Sequence, residues 1–182
     1  MIRTRRLRRR LRLLAFRTYW FLSGQDIKVG KKANIEWGAV LKCEGGGSIR
    51  IGDRCRVHRG AQLLTFGGNI RIGNDFSVNP YSVLEGQGGL DIGDSVLIAP
   101  HVVIVPANHG TALSAGTIRS QPQTKQGITI GNDVWLGAGA RILDGVNIAD
   151  GCVIGAGAVL TKSTEKHYIY IGVPAEQYRE RT

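Results

Sequence analysis

At 182 residues the chain has material for one domain with a substantial core, and no apolar run in it approaches the ~18–20 residues of a membrane-spanning helix. Its 26 glycines are roughly twice the usual share, which suits a backbone that turns often rather than one built of long helices. The formal net charge of +10 is concentrated in residues 1–22, where eight arginines meet no acid; the remainder nearly balances, which argues against a broad nucleic-acid-binding surface on the main body.

In chain order, residues 1–22 read as a basic amphipathic arm and residues 23–182 as a single domain. Leu7, Leu11 and Leu14 share one helical face, which Phe21 or Leu22 extends; Arg5, Arg8, Arg9 and Arg12 mostly lie elsewhere, and Ser23-Gly24 supplies a stop. The arm does not fit a secretory leader, because its apolar core, Leu13–Phe16, is bounded by Arg12 and Arg17 and no small-residue cleavage site follows. Two roles are expected for it: a cap on the open end of the domain, and an arm from Met1 to Leu22 lying on an anionic membrane, with Tyr19-Trp20-Phe21 at headgroup depth.

From Ile27 the chain repeats. The phrase Ile-x-Ile/Val-Gly occurs at Ile27–Gly30, Ile49–Gly52, Ile70–Gly73 and Ile128–Gly131. Between Ile130 and Lys162 the pattern is strict: Ile130, Leu136, Ile142, Ile148, Ile154 and Leu160 fall six apart, and Val134, Ala140, Val146, Cys152 and Ala158 each follow one of them by four. A 3.6-residue helix would spread these positions around its surface, and one long strand would not need the regular glycines. The pattern predicts an all-β, parallel β-helix of about six coils, three six-residue steps to a coil, with Gly, Asn and Asp turning the corners. Small Gly-rich insertions fit at Glu44–Ser48, Gly67–Asn69 and Gln87–Gly89.

Three features break the repeat. Asn79, Tyr81 and Glu85 replace the usual small polar residues in the coil before the largest insertion. That insertion, residues 106–127 (PANHGTALSAGTIRSQPQTKQG), is polar and aperiodic, so it is expected to protrude as a loop of functional use, with Asn108 and His109 at its mouth. After Lys162, residues 163–182 are expected to cap the last coil, with Tyr168–Val173 extended and Glu176–Thr182 a short helix. Cys43, Cys55 and Cys152 have no metal-like spacing and read as free thiols of a reducing cytoplasm.

Four pieces of this chain resemble the hexapeptide-repeat acyltransferases, closest to the galactoside and maltose O-acetyltransferase group and the polysaccharide O-acetyltransferases. They are Ile92–Pro100, Asn108-His109, Ile128–Gly139, and Ile154–Lys162 followed by Gly172-Val173-Pro174-Ala175. The resemblance implies a left-handed winding, a homotrimer with a site in each groove between neighbours, and transfer of an acetyl group from acetyl-CoA to a carbohydrate hydroxyl without a metal. It implies His109 as general base and Asn79 as a polar group beside the acceptor; Tyr81, Glu85 and Asn108 are the further acceptor candidates. For acetyl-CoA it implies Trp135 lining the pocket, the Ala138 N–H facing the thioester oxygen, Ala156 beside the pantetheine arm, and Thr161, Lys162 and Arg179 at the phosphates. A compact basic N-terminus points, by analogy, to bacterial surface polysaccharide or lipopolysaccharide biosynthesis, on the inner face of the cell membrane.

Other readings are weighed against this one. An antibiotic or another small hydroxyl compound is an alternative acceptor. A γ-type carbonic anhydrase shares the fold but needs three zinc-binding histidines, two of them close in sequence, whereas His101 and His109 are eight apart and His58 lies in a different coil. A non-catalytic solenoid gives no reason for His109, Trp135 and Lys162 to occur together.

Overall fold

The computed structural model describes residues 2–182, with side chains for all but residues 2–6, 8 and 9. The placing of Arg5, Arg8 and Arg9 away from the leucine stripe therefore lies outside the described residues. One helix, α1 (Ile2–Leu22), precedes a solenoid of short strands. Three parallel sheets form its faces. Face one holds Ile27–Val29, Ser48–Ile51, Asn69–Ile72, Leu90–Ile92, Ile128–Ile130 and Asn147–Ile148. Face two runs from Asn34–Ile35 through Arg56–Val57, Ser77–Val78, Leu97–Ile98 and Trp135–Leu136 to Val153–Ile154, and face three from Val40–Lys42 through Gln62–Leu64, Val83–Glu85, Val103–Val105 and Arg141–Leu143 to Val159–Leu160. This is the parallel β-helix of six coils expected from the six-step pattern.

Register explains why the repeat is strict only near the end. Ile27 lies beside Ile49, Ile49 beside Ile70, Ile70 beside Leu90 and Leu90 beside Ile128, whereas Ile130 lies beside Ile148, one eighteen-residue coil away. The surplus residues of the earlier coils all leave at the corner between faces three and one. Inside, like stacks on like: Ile35, Val57, Val78, Ile98, Leu136 and Ile154 form one buried column on face two. Each such side chain contributes ~1.5–3 kcal/mol relative to exposure.

The corner between faces one and two is held by a ladder of side chains. The Lys31 N–H donates to Asp53 Oδ1, Asp53 to Asn74, Asn74 to Asp94, Asp94 to Asn132 and Asn132 to Asp150, at 2.5–2.9 Å. This accounts for the glycine in the recurring phrase. A Cβ on Gly73 would lie 2.3 Å from Asp94 Oδ1, and one on Gly131 2.5 Å from Asp150 Oδ1.

Both ends are covered. Helix α1 closes the first coil: Trp20 is 3 % exposed, Leu13 and Phe16 pack beside it, and Phe16 meets Trp37 at 5.0 Å. Arg12 donates to Asn34 and Arg17 to the Val29 carbonyl. The stripe expected to matter, Leu7, Leu11 and Leu14, is the face that does not dock. At the other end Tyr168–Ile171 adds a parallel strand to face two, and the expected C-terminal helix is instead a strand, Glu176–Glu180, antiparallel to it. Seven residues are too few for a helix to hold by itself, and the open edge of Tyr168–Ile171 offers hydrogen bonds that a helix would forgo.

Candidate active site

The corner that leaves face two stacks the residues most of interest. Asn79 donates its N–H to the Ile98 carbonyl, Ala99 to Leu136 and Gly137 to Ile154, which sets Asn79, Ala99, Gly137 and Gly155 in one column. In the next column stand Pro80, Pro100, Ala138 and Ala156, since His101 donates to Pro80, Gly139 to Pro100 and Gly157 to Ala138. Prolines have no N–H to offer. The N–H groups of Ala138 and Ala156 find no acceptor among the described residues, and both residues are exposed. Gly137 admits no side chain, because a Cβ there would lie 2.6 Å from the Ala156 nitrogen. The result is a narrow, rigid track with two outward donors.

Around this corner lie other expected residues. Asn79 Nδ2 donates to the Ile98 carbonyl at 2.9 Å, which leaves Oδ1 without a partner among the described residues. Tyr81 and His101 both adopt positive φ, +63° and +62°, and their rings stack at 5.6 Å. The Tyr81 ring rests on Gly60, where a Cβ would come within 2.7 Å of it. Trp135 is 52 % exposed on the outer side of face two, between Leu97 and Val153.

His109 arises elsewhere, from the corner between faces three and one. Asn108–His109 pairs antiparallel with Gln123–Thr124, so the loop's base is a two-rung hairpin. His109 Nε2 lies 3.1 Å from the Gln123 side-chain nitrogen, which ties the imidazole to the second strand of the hairpin. Two residues that the sequence reading did not single out hold this loop. Asp144 accepts from Thr124 Oγ1 and from the Gln126 and Gly127 N–H groups. Buried Gln121 bonds both backbone groups of Ala112 and the Gly116 carbonyl. Only an Asp-Gly turn marks Asp144 in the sequence, and nothing there ties it to a loop twenty residues upstream.

Glu85 closes the strand Val83–Glu85 on face three, half-buried and without a cation beside it among the described residues; burial holds its carboxyl above the ordinary range. Thr161 and Lys162 open a depression shared with Ser163, Tyr170, Pro174 and Glu176. Arg179 stands apart from them, on the final strand opposite Ile169, whose neighbour in turn is Val153. Within one chain, then, Asn79, Tyr81, Ala138 and Ala156 follow one edge of face three while Asn108, His109 and Glu85 belong to the other, about 10 Å of strand away. His58 and His101 do not join His109: His58 Nδ1 lies 3.3 Å from Glu36, and His101 stacks on Tyr81.

Residues 127–162 match the family described as bacterial transferase hexapeptide (six repeats). The chain is 38 % identical over 120 residues to galactoside O-acetyltransferase of Escherichia coli K12, covering 64 % of this chain and 57 % of that one. It is 33 % identical over 138 residues to a putative lipopolysaccharide biosynthesis O-acetyl transferase, WbbJ, of the same organism, covering 71 % and 70 %. A galactoside acetyltransferase solved in complex with coenzyme A superposes with a TM-score of 0.64 at 30 % identity, over 85 % of this chain and 64 % of that one. Several of the curated relatives are longer, and the chain spans about half their length. The solenoid and the match together define the class: the chain belongs to the hexapeptide-repeat transferases, whose left-handed β-helix it shares.

Proposed function

We propose that this protein is an O-acetyltransferase that moves an acetyl group from acetyl-CoA to a sugar hydroxyl. The observation that carries the reading is the pair of unfilled N–H donors, Ala138 and Ala156, on a corner too narrow for side chains at Gly137. A thin pantetheine arm fits such a track, and the relative solved with coenzyme A supports that choice of donor. Acetyl-CoA, when bound, supplies an acyl carbon already activated as a thioester, so no metal is called for.

The chain's own residues then have these tasks. His109 takes the proton of the acceptor hydroxyl as its oxygen attacks the thioester carbon; the C–S bond then breaks, and the imidazolium returns the proton to the departing thiolate. The Ala138 N–H donates to the thioester oxygen as negative charge builds there, from a backbone that does not reorganise. Trp135 and Ala156 flank the arm, and Thr161, Lys162 and Arg179 take the phosphates as cationic or hydroxyl donors. Asn79 Oδ1, Tyr81, Glu85 and Asn108 meet the acceptor.

On one chain the base and the track lie on opposite edges of face three. A homotrimer, with the loop of one chain reaching the track of the next, closes that gap. The similarity to a putative lipopolysaccharide O-acetyl transferase favours a surface-glycan acceptor, and the three free cysteines suit a cytoplasmic enzyme. The test is release of free thiol from acetyl-CoA in the presence of nucleotide sugars, oligosaccharides or hydroxyl-bearing antibiotics. Release with a sugar supports the reading, release with an antibiotic alone replaces the acceptor, and no release with any of them overturns it.

A further inference from the structure

Helix α1 carries two apolar faces on opposite sides, and the solenoid uses only one. Leu13, Phe16 and Trp20 dock on the first coil. Leu7, Leu11, Leu14 and Leu22 lie roughly half a helical turn away and are 57–77 % exposed, with Phe21 at their edge at 83 %. A cap needs the first face alone; a second leucine stripe in water gains nothing from burial.

The charge of the helix is not matched by acids among the described residues: Arg12 and Arg17 hydrogen-bond the first coil only through an amide and a backbone carbonyl. Residues 1–22 contain eight arginines and no acid. Among the described residues Arg10, Arg12 and Arg17 form no ion pair, and the acids of the first coil are engaged elsewhere: Asp26 with Arg50, Glu36 with His58, Glu44 with Lys42. No described helix is long and apolar enough to cross a bilayer.

We propose that the exposed face of α1 docks on an anionic phospholipid surface. The leucines and Phe21 enter the boundary between headgroups and acyl chains, and the arginines of the helix other than Arg12 and Arg17, which bond the first coil, meet lipid phosphates. A second copy of the chain is a poorer occupant, because pairing these faces would bring two sets of eight arginines together. Because α1 covers the first coil, docking turns that end of the solenoid toward the lipid. Coils three to six then stand about 10–25 Å beyond the first coil, on the side away from the lipid, at the ordinary inter-strand spacing. The inference rests on the helix and not on acyl transfer.

The test uses the full chain with vesicles of phosphatidylcholine alone and of phosphatidylcholine with phosphatidylglycerol. The protein is expected to sediment with the anionic vesicles only and to be released by high salt. The double substitution Leu11→Glu with Leu14→Glu alters the outer face and leaves Trp20 docked; it should weaken vesicle binding by roughly tenfold or more with an unchanged melting temperature. Three results overturn the proposal: no binding to anionic vesicles, equal binding by the double variant, or a change in oligomeric size on substitution without a change in lipid binding. Lower melting of the double variant would show that the outer face belongs to the cap, which also overturns it.

Discussion

The corner that enters face two and the corner that leaves it each carry one residue per coil at positive φ. On the entering corner these are Lys32, Arg54, Asp75, Ser95, Asp133 and Gly151; on the leaving corner, Gly38, Gly60, Tyr81, His101, Gly139 and Gly157. The backbones are alike, yet their hydrogen bonds differ. Every step of the entering corner from Lys31 to Asp150 gives an N–H to an Asp or Asn side chain of the next coil. The leaving corner has no such ladder, and its later coils present bare N–H groups at Ala138 and Ala156. A corner whose donors are filled from within serves the fold; a corner whose donors face outward has capacity for a ligand. Glycine is needed at both, against a neighbour's carboxylate on one side and against the next coil's backbone at Gly137 on the other.

The largest expected effect tests whether the outward donors act alone. If the leaving corner holds the acyl donor and the hairpin loop supplies the base, His109→Ala should lower kcat by roughly 10²–10⁴-fold while leaving coenzyme A binding nearly intact. Coenzyme A titration by calorimetry beside steady-state rates checks both halves. An unchanged rate would move the base elsewhere, and Glu85 is the next carboxylate in line.

A smaller pair of effects should separate the two corners outright. Ala156→Leu adds an exposed side chain where nothing crowds the adjoining Gly157, so melting should not change while KM for acetyl-CoA rises about tenfold or more with kcat little altered. Asn132→Ala removes one rung of the ladder, at a cost of about 1 kcal/mol, or ~2–4 °C in Tm, with KM unaffected. Loss of stability in the first variant, or of affinity in the second, would erase the distinction between the corners.

Most of the fold is legible in the sequence because burial writes it there. Ile130, Leu136, Ile142, Ile148, Ile154 and Leu160 recur by six since each fills the same inward place, and all are buried. The ends are less legible. Glu176–Glu180 is exposed throughout, so no periodicity marks it as a strand; its structure comes from the edge beside it. In α1 the leucine stripe is the stronger pattern, but Phe16 and Trp20 bury more surface against the first coil, and they decide which way the helix turns. The recurring Gly-Asp/Asn step was visible as a corner signal, whereas its ladder of hydrogen bonds needed the register. The candidate site is legible only in parts. His109 and Ala138 stand out by motif, but the Asp144 clasp and the separation of His109 from the Ala138 corner depend on which corner each coil puts them at.

The smallest effects concern pH, and they should have opposite signs for two carboxylates. Asp150 ends the entering ladder; the Asn132 N–H and then Lys166 hold its carboxyl below the usual range. Its ionised form is favoured on folding, so its contribution is present above the unfolded pKa of ~3.9 and is lost as pH falls through the lower folded value. Glu85 lies outside both corners, and burial raises its carboxyl above an ordinary value of 4.5. Between that value and its raised folded value the native state binds more protons than the unfolded chain. Stability therefore falls as pH rises through this window and stays lower above it. Asp150→Asn should melt below the parent at pH 7 and approach it in acid, since the amide keeps the Oδ1 acceptor but not the charge. Glu85→Gln should melt above the parent at pH 7, with the difference closing as pH falls toward 4. Melting curves of the three proteins from about pH 2 to pH 8 read both signs at once. A Glu85→Gln variant that is less stable than the parent at neutral pH would mean that the ionised carboxylate has a cationic or hydrogen-bonding partner, and that burial alone does not set its protonation.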